Sequence, residues 1–220
     1  ALAPVQVYPE PKDVAFSQIN FVDMPNAVQS EVAVVNLVNL KMTDPDYFPA
    51  LVANQVTPDK GDVFVTGASG GVGMIGIRLL SHLGYSVVAL SGKPELTETL
   101  KALGASRVIA RQQFADEPVR ALYAMEYAGA IDTLGGDYLV QVVKRLKFGG
   151  AVAVCGMASG VELPMQVYPF ILRGARMLGI YSADSPLAYK QQLWTKIAED
   201  WSLNLADFCQ EITLEQAPSV

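Results

Sequence analysis

From residue 61 onward the chain alternates short unbroken apolar runs with stretches in which apolar residues recur every three or four positions. The unbroken runs predict strands at Asp62–Thr66, Ser86–Leu90, Arg107–Ile109, Ala130–Thr133, Ala151–Cys155 and Met177–Tyr181. Runs without polar alternation suit strands covered on both faces. The periodic stretches predict helices at Val72–Leu83, Glu95–Leu103, Val119–Tyr127, Tyr138–Leu146 and Leu187–Trp201. In the first, Ile75, Leu79 and Leu83 recur at i, i+4 and i+8 and mark one buried face. Gly84 and Gly104 stand where helices should stop, because glycine readily takes the left-handed cap conformation. Strand–helix alternation through six strands implies an α/β fold, a doubly wound parallel six-stranded sheet of order 3-2-1-4-5-6. That is the Rossmann arrangement.

The first sixty residues follow other rules. They contain no glycine and seven of the thirteen prolines, whereas all eighteen glycines lie from Gly61 onward. Glu31–Leu37 reads as one strand, and Ala1–Pro11 holds too many prolines for a central strand. Lys41–Pro49 reads as a loop and Ala50–Gln55 as a single helical turn. The expected organisation is an extended segment over 1–56 and a Rossmann domain with a C-terminal helix over 57–220. The first residue is Ala rather than Met, so the chain is expected to be processed or excised from a longer one.

Composition narrows the function classes. The 220 residues are 51% hydrophobic, enough for one α/β core. A net charge of −6, with scattered basic residues, argues against a nucleic-acid footprint. No apolar run reaches the roughly 18–20 residues that a membrane helix needs, and no signal peptide is visible. Cys155, Cys209 and His82 are the only cysteines and histidine. They are too few for a disulfide framework or a zinc site, and a thiol-poor chain suits the reducing cytoplasm. His82 falls late in a helix and reads as a surface cap, while Trp194 and Trp201, seven apart, read as core of one helix.

The chemistry is concentrated after the first strand. Gly67, Gly70 and Gly73 are spaced G-x-x-G-x-x-G between a strand and a helix, with a second strand following. In such a loop the first glycine permits the turn, the second admits a pyrophosphate, and the third packs helix on sheet. The anion then sits on helix N-terminal N–H groups, and Ser69 could add a hydroxyl. An NAD site normally places an acid at the end of the second strand for the ribose 2′-hydroxyl. Here Ser91-Gly92-Lys93 stands there instead, with no acid before Glu95. A hydroxyl and an ammonium suit a 2′-phosphate, and Arg111 after the third strand could supply a second cation, so NADPH is expected over NADH.

Gly67, Gly71 and Gly73 also spell the G-x-x-x-G-x-G loop of short-chain dehydrogenases, but those need a downstream Tyr-x-x-x-Lys. The one such spacing, Tyr8 to Lys12, lies upstream and is broken by Pro9 and Pro11. A longer match is more specific. "DVFVTGASGGVG", "LGYSVVALSGK", "LKALGASRVIAR", "GAIDTLGG", "FGGAVAVCGMASG" and "LPMQVYPFILRGARMLGI" occur in that order. Together they resemble the cofactor domain of medium-chain dehydrogenase/reductases, in the zinc-free quinone oxidoreductase branch of acryloyl-coenzyme A reductase type, over Thr57 to about Pro218.

The resemblance implies NADPH-dependent reduction of an activated C=C bond in an unsaturated thioester, or of a quinone. It implies that Ser69, Gly70, Gly71, Val72 and Gly73 hold the pyrophosphate, and that Ser91, Lys93 and Arg111 hold the 2′-phosphate. Thr133 and Leu134 would line the ribose, Cys155, Gly156, Met157 and Ala158 would approach the nicotinamide, and Phe170 would close the pocket. Cys155 reads mainly as a small buried hydrophobe and Asp132 as an organiser of its loop. The glycine-free start replaces most of the family's β substrate domain. Ser30–Met42 resembles the family strand ending Leu-Asn-Tyr-Lys-Asp, with Asn39 and Lys41 in place but Leu40 for Tyr and Met42 for Asp, which leaves the catalytic residues unassigned. Three outcomes stay open: a trimmed form of an active reductase, an NADP-binding but non-catalytic structural or dimerisation domain, or a minimal reductase sharing its site across a dimer. The last strand, near Met177–Tyr181, is an exposed edge and resembles the one that joins two subunits of a homodimer.

Overall fold

The computed structural model describes residues 47–180, 186–201 and 203. The readings made above for Glu31–Leu37, Asn39–Met42 and Cys209 lie outside the described residues. The chain divides into one unit of Thr43–Asp184 and a second of Ala1–Met42 with Ser185–Val220.

The larger unit is a six-stranded parallel sheet of order β3-β2-β1-β4-β5-β6. Its elements are α1 (Tyr47–Ala53), β1 (Val63–Val65), α2 (Gly71–His82), β2 (Val87–Ser91), α3 (Thr97–Ala102), β3 (Ala105–Ala110), α4 (Arg111–Ala115), β4 (Tyr127–Asp132), α5 (Gly136–Val143), β5 (Leu146–Val154), α6 (Tyr168–Arg173) and β6 (Arg176–Gly179). The unbroken apolar runs behave as expected. Every residue of β1, β2 and β4 is buried, whereas at the two edges β3 buries only Ala105 and β6 buries none. In the second unit, α7 (Leu187–Ala198) buries Leu193.

Phe64 in β1 sits at the centre of the core, with its ring 4.5 Å from Tyr127 and 5.2 Å from Phe114. Burying an aromatic ring of this kind contributes about 1.5–3 kcal/mol. Helix α2 ends as its glycine predicts. The N–H of Gly84 bonds to Ser81 O, and that of Tyr85 to Leu80 O, while Gly84 takes φ +83°.

Several expectations need correction. No helix forms over Val119–Tyr127: Val119 is exposed, and Tyr127 opens β4. The segment is claimed instead by Arg145, whose guanidinium is only 1% exposed. It lies 3.7 Å from the Tyr123 ring centre and 4.4 Å from that of Phe114, and it pairs with Glu117 at 2.6 Å and Glu126 at 3.3 Å. A buried guanidinium must be fully partnered, so the chain wraps it rather than coiling. Leu146 likewise leaves the predicted helix and begins β5. On α2 the buried face is Gly73, Gly76, Ile77, Leu79 and Leu80, and Ile75 and Leu83 are only half-buried. The two glycines draw that face onto the sheet. The predicted loop over Lys41–Pro49 gives way to helix from Tyr47. Trp201 is buried but lies past the end of α7, with the Lys196 ammonium 5.3 Å from its ring centre, so it does not share a helix face with Trp194.

Candidate functional site at the carboxyl edge of the sheet

The turn from β1 into α2 opens with Gly67 at φ +57°, a conformation that glycine adopts without strain. A side chain at Gly73 would bring its Cβ within 2.7 Å of Ala68 Cα, so only hydrogen lets the helix start so close to the loop. The loop is tied down by Ala68 N–H to Leu90 O at 3.0 Å and Gly70 N–H to Gly67 O at 2.9 Å. Gly70, at the N-cap, has no side chain to satisfy the first-turn N–H groups. The helix N-terminus at Gly71, Val72 and Gly73 therefore retains unfilled donors and a positive dipole end. Gly71 is exposed, and nothing lies within 4 Å of where its Cβ would be. Ser69, beside it, is half-buried. Open N–H groups at a helix start are the kind of surface that suits an anion.

At the end of β2, Ser91 is 4% exposed and its hydroxyl oxygen accepts the Lys93 N–H at 3.0 Å. That bond folds Ser91–Lys93 into a fixed turn. The Arg111 guanidinium, from the first residue of α4, lies against Gly92, and a Cβ there would meet its Cζ and Nε at 2.8 Å. Sequence alone left Arg111 and Lys93 as two cations in different segments. The structure brings Arg111 onto the backbone of the Ser91–Lys93 turn, with both cationic side chains exposed.

The ends of β4 and β5 are built differently. Thr66 donates from Oγ1 to Asp132 Oδ1 at 2.7 Å and accepts the Thr133 N–H at 2.9 Å, while Thr133 Oγ1 donates to Thr66 O at 3.1 Å. Gly135 N–H donates to Asp132 Oδ2 at 2.8 Å. Both carboxylate oxygens of Asp132 are thus engaged. Burial raises its pKa above the usual carboxylate range, opposed by hydrogen bonds from Thr66 and the backbone at Gly135 and Leu134. Asp132 organises the loop, as its position at a strand end suggested. Leu134 is 6% exposed and belongs to the core, and its Cδ2 lies 3.4 Å from where a Cβ on Gly67 would be.

Cys155 is half-buried, with its N–H on Asp132 O at 2.9 Å and its thiol 3.5 Å from the same carbonyl. Burial, with the Asp132 charge adding to it, pushes the thiol up to about 11. It is a neutral packing group at ordinary pH. Gly156 passes directly against the Thr133 backbone, where a side chain would collide. Beyond it, a cleft of about 280 Å³ is lined by Gly135, Gly156, Met157, Glu162, Leu163 and Met177 among others. Met157 and Ala158 are exposed beside it. Phe170 is half-buried against the core and is not among the residues lining this cleft.

Sequence reasoning missed Thr66, which joins the two halves of the edge. Its signal was a polar residue closing an apolar strand, as Asp132 closes its own. His82 is exposed at the last position of α2.

Comparison with known proteins gives this edge a context. The sequence profile of the family described as zinc-binding dehydrogenase matches residues 71–199. Acrylyl-CoA reductase AcuI of Ruegeria pomeroyi is 40% identical over 172 residues, covering 78% of this chain and 52% of that protein. Two solved structures are similar. Escherichia coli K-12 YhdH with bound NADPH is 44% identical with a TM-score of 0.70, covering 74% of this chain and 50% of that one. Bacillus subtilis YhfP with bound NAD is 41% identical with a TM-score of 0.71, covering 74% and 49%. The chain spans about half the length of the relatives it matches. Among the described residues no group of three or more His, Cys, Asp or Glu is placed to hold a metal ion.

Proposed function

This chain belongs to the zinc-binding dehydrogenase family, and we propose that it is the cofactor-binding part of an NADPH-dependent reductase of an activated C=C bond, that of an enoyl or acryloyl thioester, or of a quinone. The observation that carries the reading is the Arg111 guanidinium lying against Gly92, beside the fixed Ser91–Lys93 turn. Two cations at the end of β2, where an acid would select a 2′-hydroxyl, favour the 2′-phosphate of NADPH. The NADPH in Escherichia coli YhdH supports the choice, while the NAD in Bacillus subtilis YhfP shows that a similar protein takes the unphosphorylated form. The name of the Ruegeria relative supports an acryloyl thioester as substrate.

In this reading Ser69, Gly70, Gly71, Val72 and Gly73 receive the pyrophosphate on N–H groups and a hydroxyl. Ser91, Lys93 and Arg111 receive the 2′-phosphate. Thr133 and Leu134 border the ribose, Cys155, Gly156, Met157 and Ala158 border the nicotinamide, and Phe170 closes the pocket from the core side. When bound, the cofactor supplies a hydride. The residues of this chain orient it and exclude water from one side, without zinc. Residues 57–220 form the NADP domain and 1–56 the remnant of a substrate domain. The exposed strand β6 pairs with its counterpart in a second copy to make a homodimer, and the two-cysteine chain works in the cytoplasm.

A second reading has one observation behind it. Asp132, Thr133 and Cys155, three polar side chains at the ends of β4 and β5, are all engaged internally. They supply no proton donor to a substrate, as expected of an NADP-binding domain without turnover. The two readings separate by following NADPH oxidation with acryloyl-coenzyme A and with a quinone. Saturable turnover of either supports the reductase. Tight NADPH binding with no turnover of both leaves the non-catalytic domain.

A further inference from the structure

A larger concavity lies at the other end of the strands. About 590 Å³ in volume, it is lined by Gln55, Lys60, Met125, Lys147, Phe148 and Arg176, with neighbouring backbone from β4 and β5. Six residues of extended strand, from Gly150 to Gly156, separate it from the cofactor edge by roughly 20 Å.

We propose that this cavity is a second ligand site, for a phosphate monoester that carries a planar ring and has the size of a nucleoside monophosphate. Among the described residues three cations line it and no carboxylate does. Two of the three are fixed in place. Lys147 Nζ donates to Lys60 O at 3.0 Å and fills the space left beside Gly61 by its missing side chain. Arg176 Nη1 donates to Asn54 O at 3.2 Å and to Gly149 O at 3.3 Å. Each keeps further N–H donors, and a guanidinium fork with two ammonium groups matches a dianionic phosphate better than a carboxylate.

The sheet is distorted to present these groups. Tyr127 pairs with Leu146, but Gly129, two residues on, pairs with Ala151, five residues on. Lys147–Gly150 therefore leaves the ladder, as bulges do where a side chain is re-aimed. Phe148 is carried out on it, 80% exposed, and Met125 stands 57% exposed on the rim. An uncovered ring beside fixed cations is the arrangement that stacks a base while its phosphate is neutralised. Gln55 adds a further sign. It is the only described non-glycine residue at positive φ, +65°. Glycine or asparagine is usual at such a helix end, and here a long amide stands on the rim in the left-handed region instead. The volume falls within the range of small-ligand pockets.

The test uses the whole chain saturated with NADP⁺, titrated with AMP, inorganic phosphate and benzoate while backbone amide shifts are followed by NMR. AMP should move the amides of Gln55, Phe148, Gly149, Gly150 and Arg176 saturably, and benzoate should do so at least about tenfold more weakly. Phe148→Ala, on the surface, should weaken AMP by at least about fivefold and leave inorganic phosphate unchanged. Lys147→Gln with Arg176→Gln should weaken both by about tenfold or more, with the NADP⁺ shifts intact as proof of folding. AMP shifts confined to the glycine loop, tighter binding of benzoate, or indifference to both variants would overturn the proposal. If NADP⁺ itself produces no shifts, the cofactor reading fails, and the amino-edge shifts still decide this site separately.

Discussion

The two halves of the carboxyl edge solve different problems. The half at β1 and β2 leaves backbone donors and cations open: the first turn of α2 has no side-chain cap, and Lys93 and Arg111 extend exposed charge from a short turn that the buried Ser91 hydroxyl closes. The half at β4 and β5 closes its donors on itself. The N–H groups of Thr133, Gly135, Cys155, Ala158 and Ser159 all bond to Thr66, Asp132, Thr133 or Leu134. An open, charged surface generates affinity, since each charge-assisted contact contributes about 1.5–3 kcal/mol. A closed surface generates shape, holding a wall rigid against a ring it attracts only weakly. In the proposed reading binding and positioning fall to neighbouring strand ends, which Thr66 joins.

Substitutions on the open half should have the largest effects. Gly73→Val puts a branched side chain into the Ala68 backbone, and should abolish NADPH binding while lowering the melting temperature. Calorimetry with and without cofactor separates the two losses. Arg111→Ala should weaken NADPH by about ten- to a hundredfold and NADH by less than about twofold, because only the 2′-phosphate is affected. Equal weakening of both would place Arg111 outside the phosphate site. Gly92→Ala displaces the Arg111 guanidinium without removing it, so a loss of about tenfold in NADPH affinity is expected.

The closed half should respond least. Cys155 alkylation at pH 8, followed by peptide mass spectrometry, should run about tenfold or more below an ordinary thiol, since burial holds its pKa near 11. The sign follows from the raised value: the thiolate appears only as pH rises toward 11, so the rate should still be climbing at pH 10. A rate that levels near pH 9 would show an ordinary, accessible thiol.

The unequal halves also explain what could be read in advance. Strand order, the glycine turn and the end of α2 were legible because each is written locally, in apolar runs and glycines. The Ser91–Lys93 turn was legible for the same reason. Three features were not. The absent helix over 119–127 depends on Arg145, distant in sequence, which demands aromatic and acidic partners once buried. The Thr66–Asp132 bond joins residues 66 apart in the chain. The contact of Arg111 with Gly92 depends on how two parallel strands end side by side. Local pattern carries secondary structure, and partnership between polar groups emerges only when strands are laid next to each other.

The central claim is that the open half selects the 2′-phosphate. Its most direct test is the separate titration of NADPH and NADH against the purified chain, following nicotinamide fluorescence. Saturable NADPH binding, with NADH at least about tenfold weaker, is the predicted result. Equal affinities, or no binding of either, would contradict it and leave the glycine turn a structural corner of the sheet.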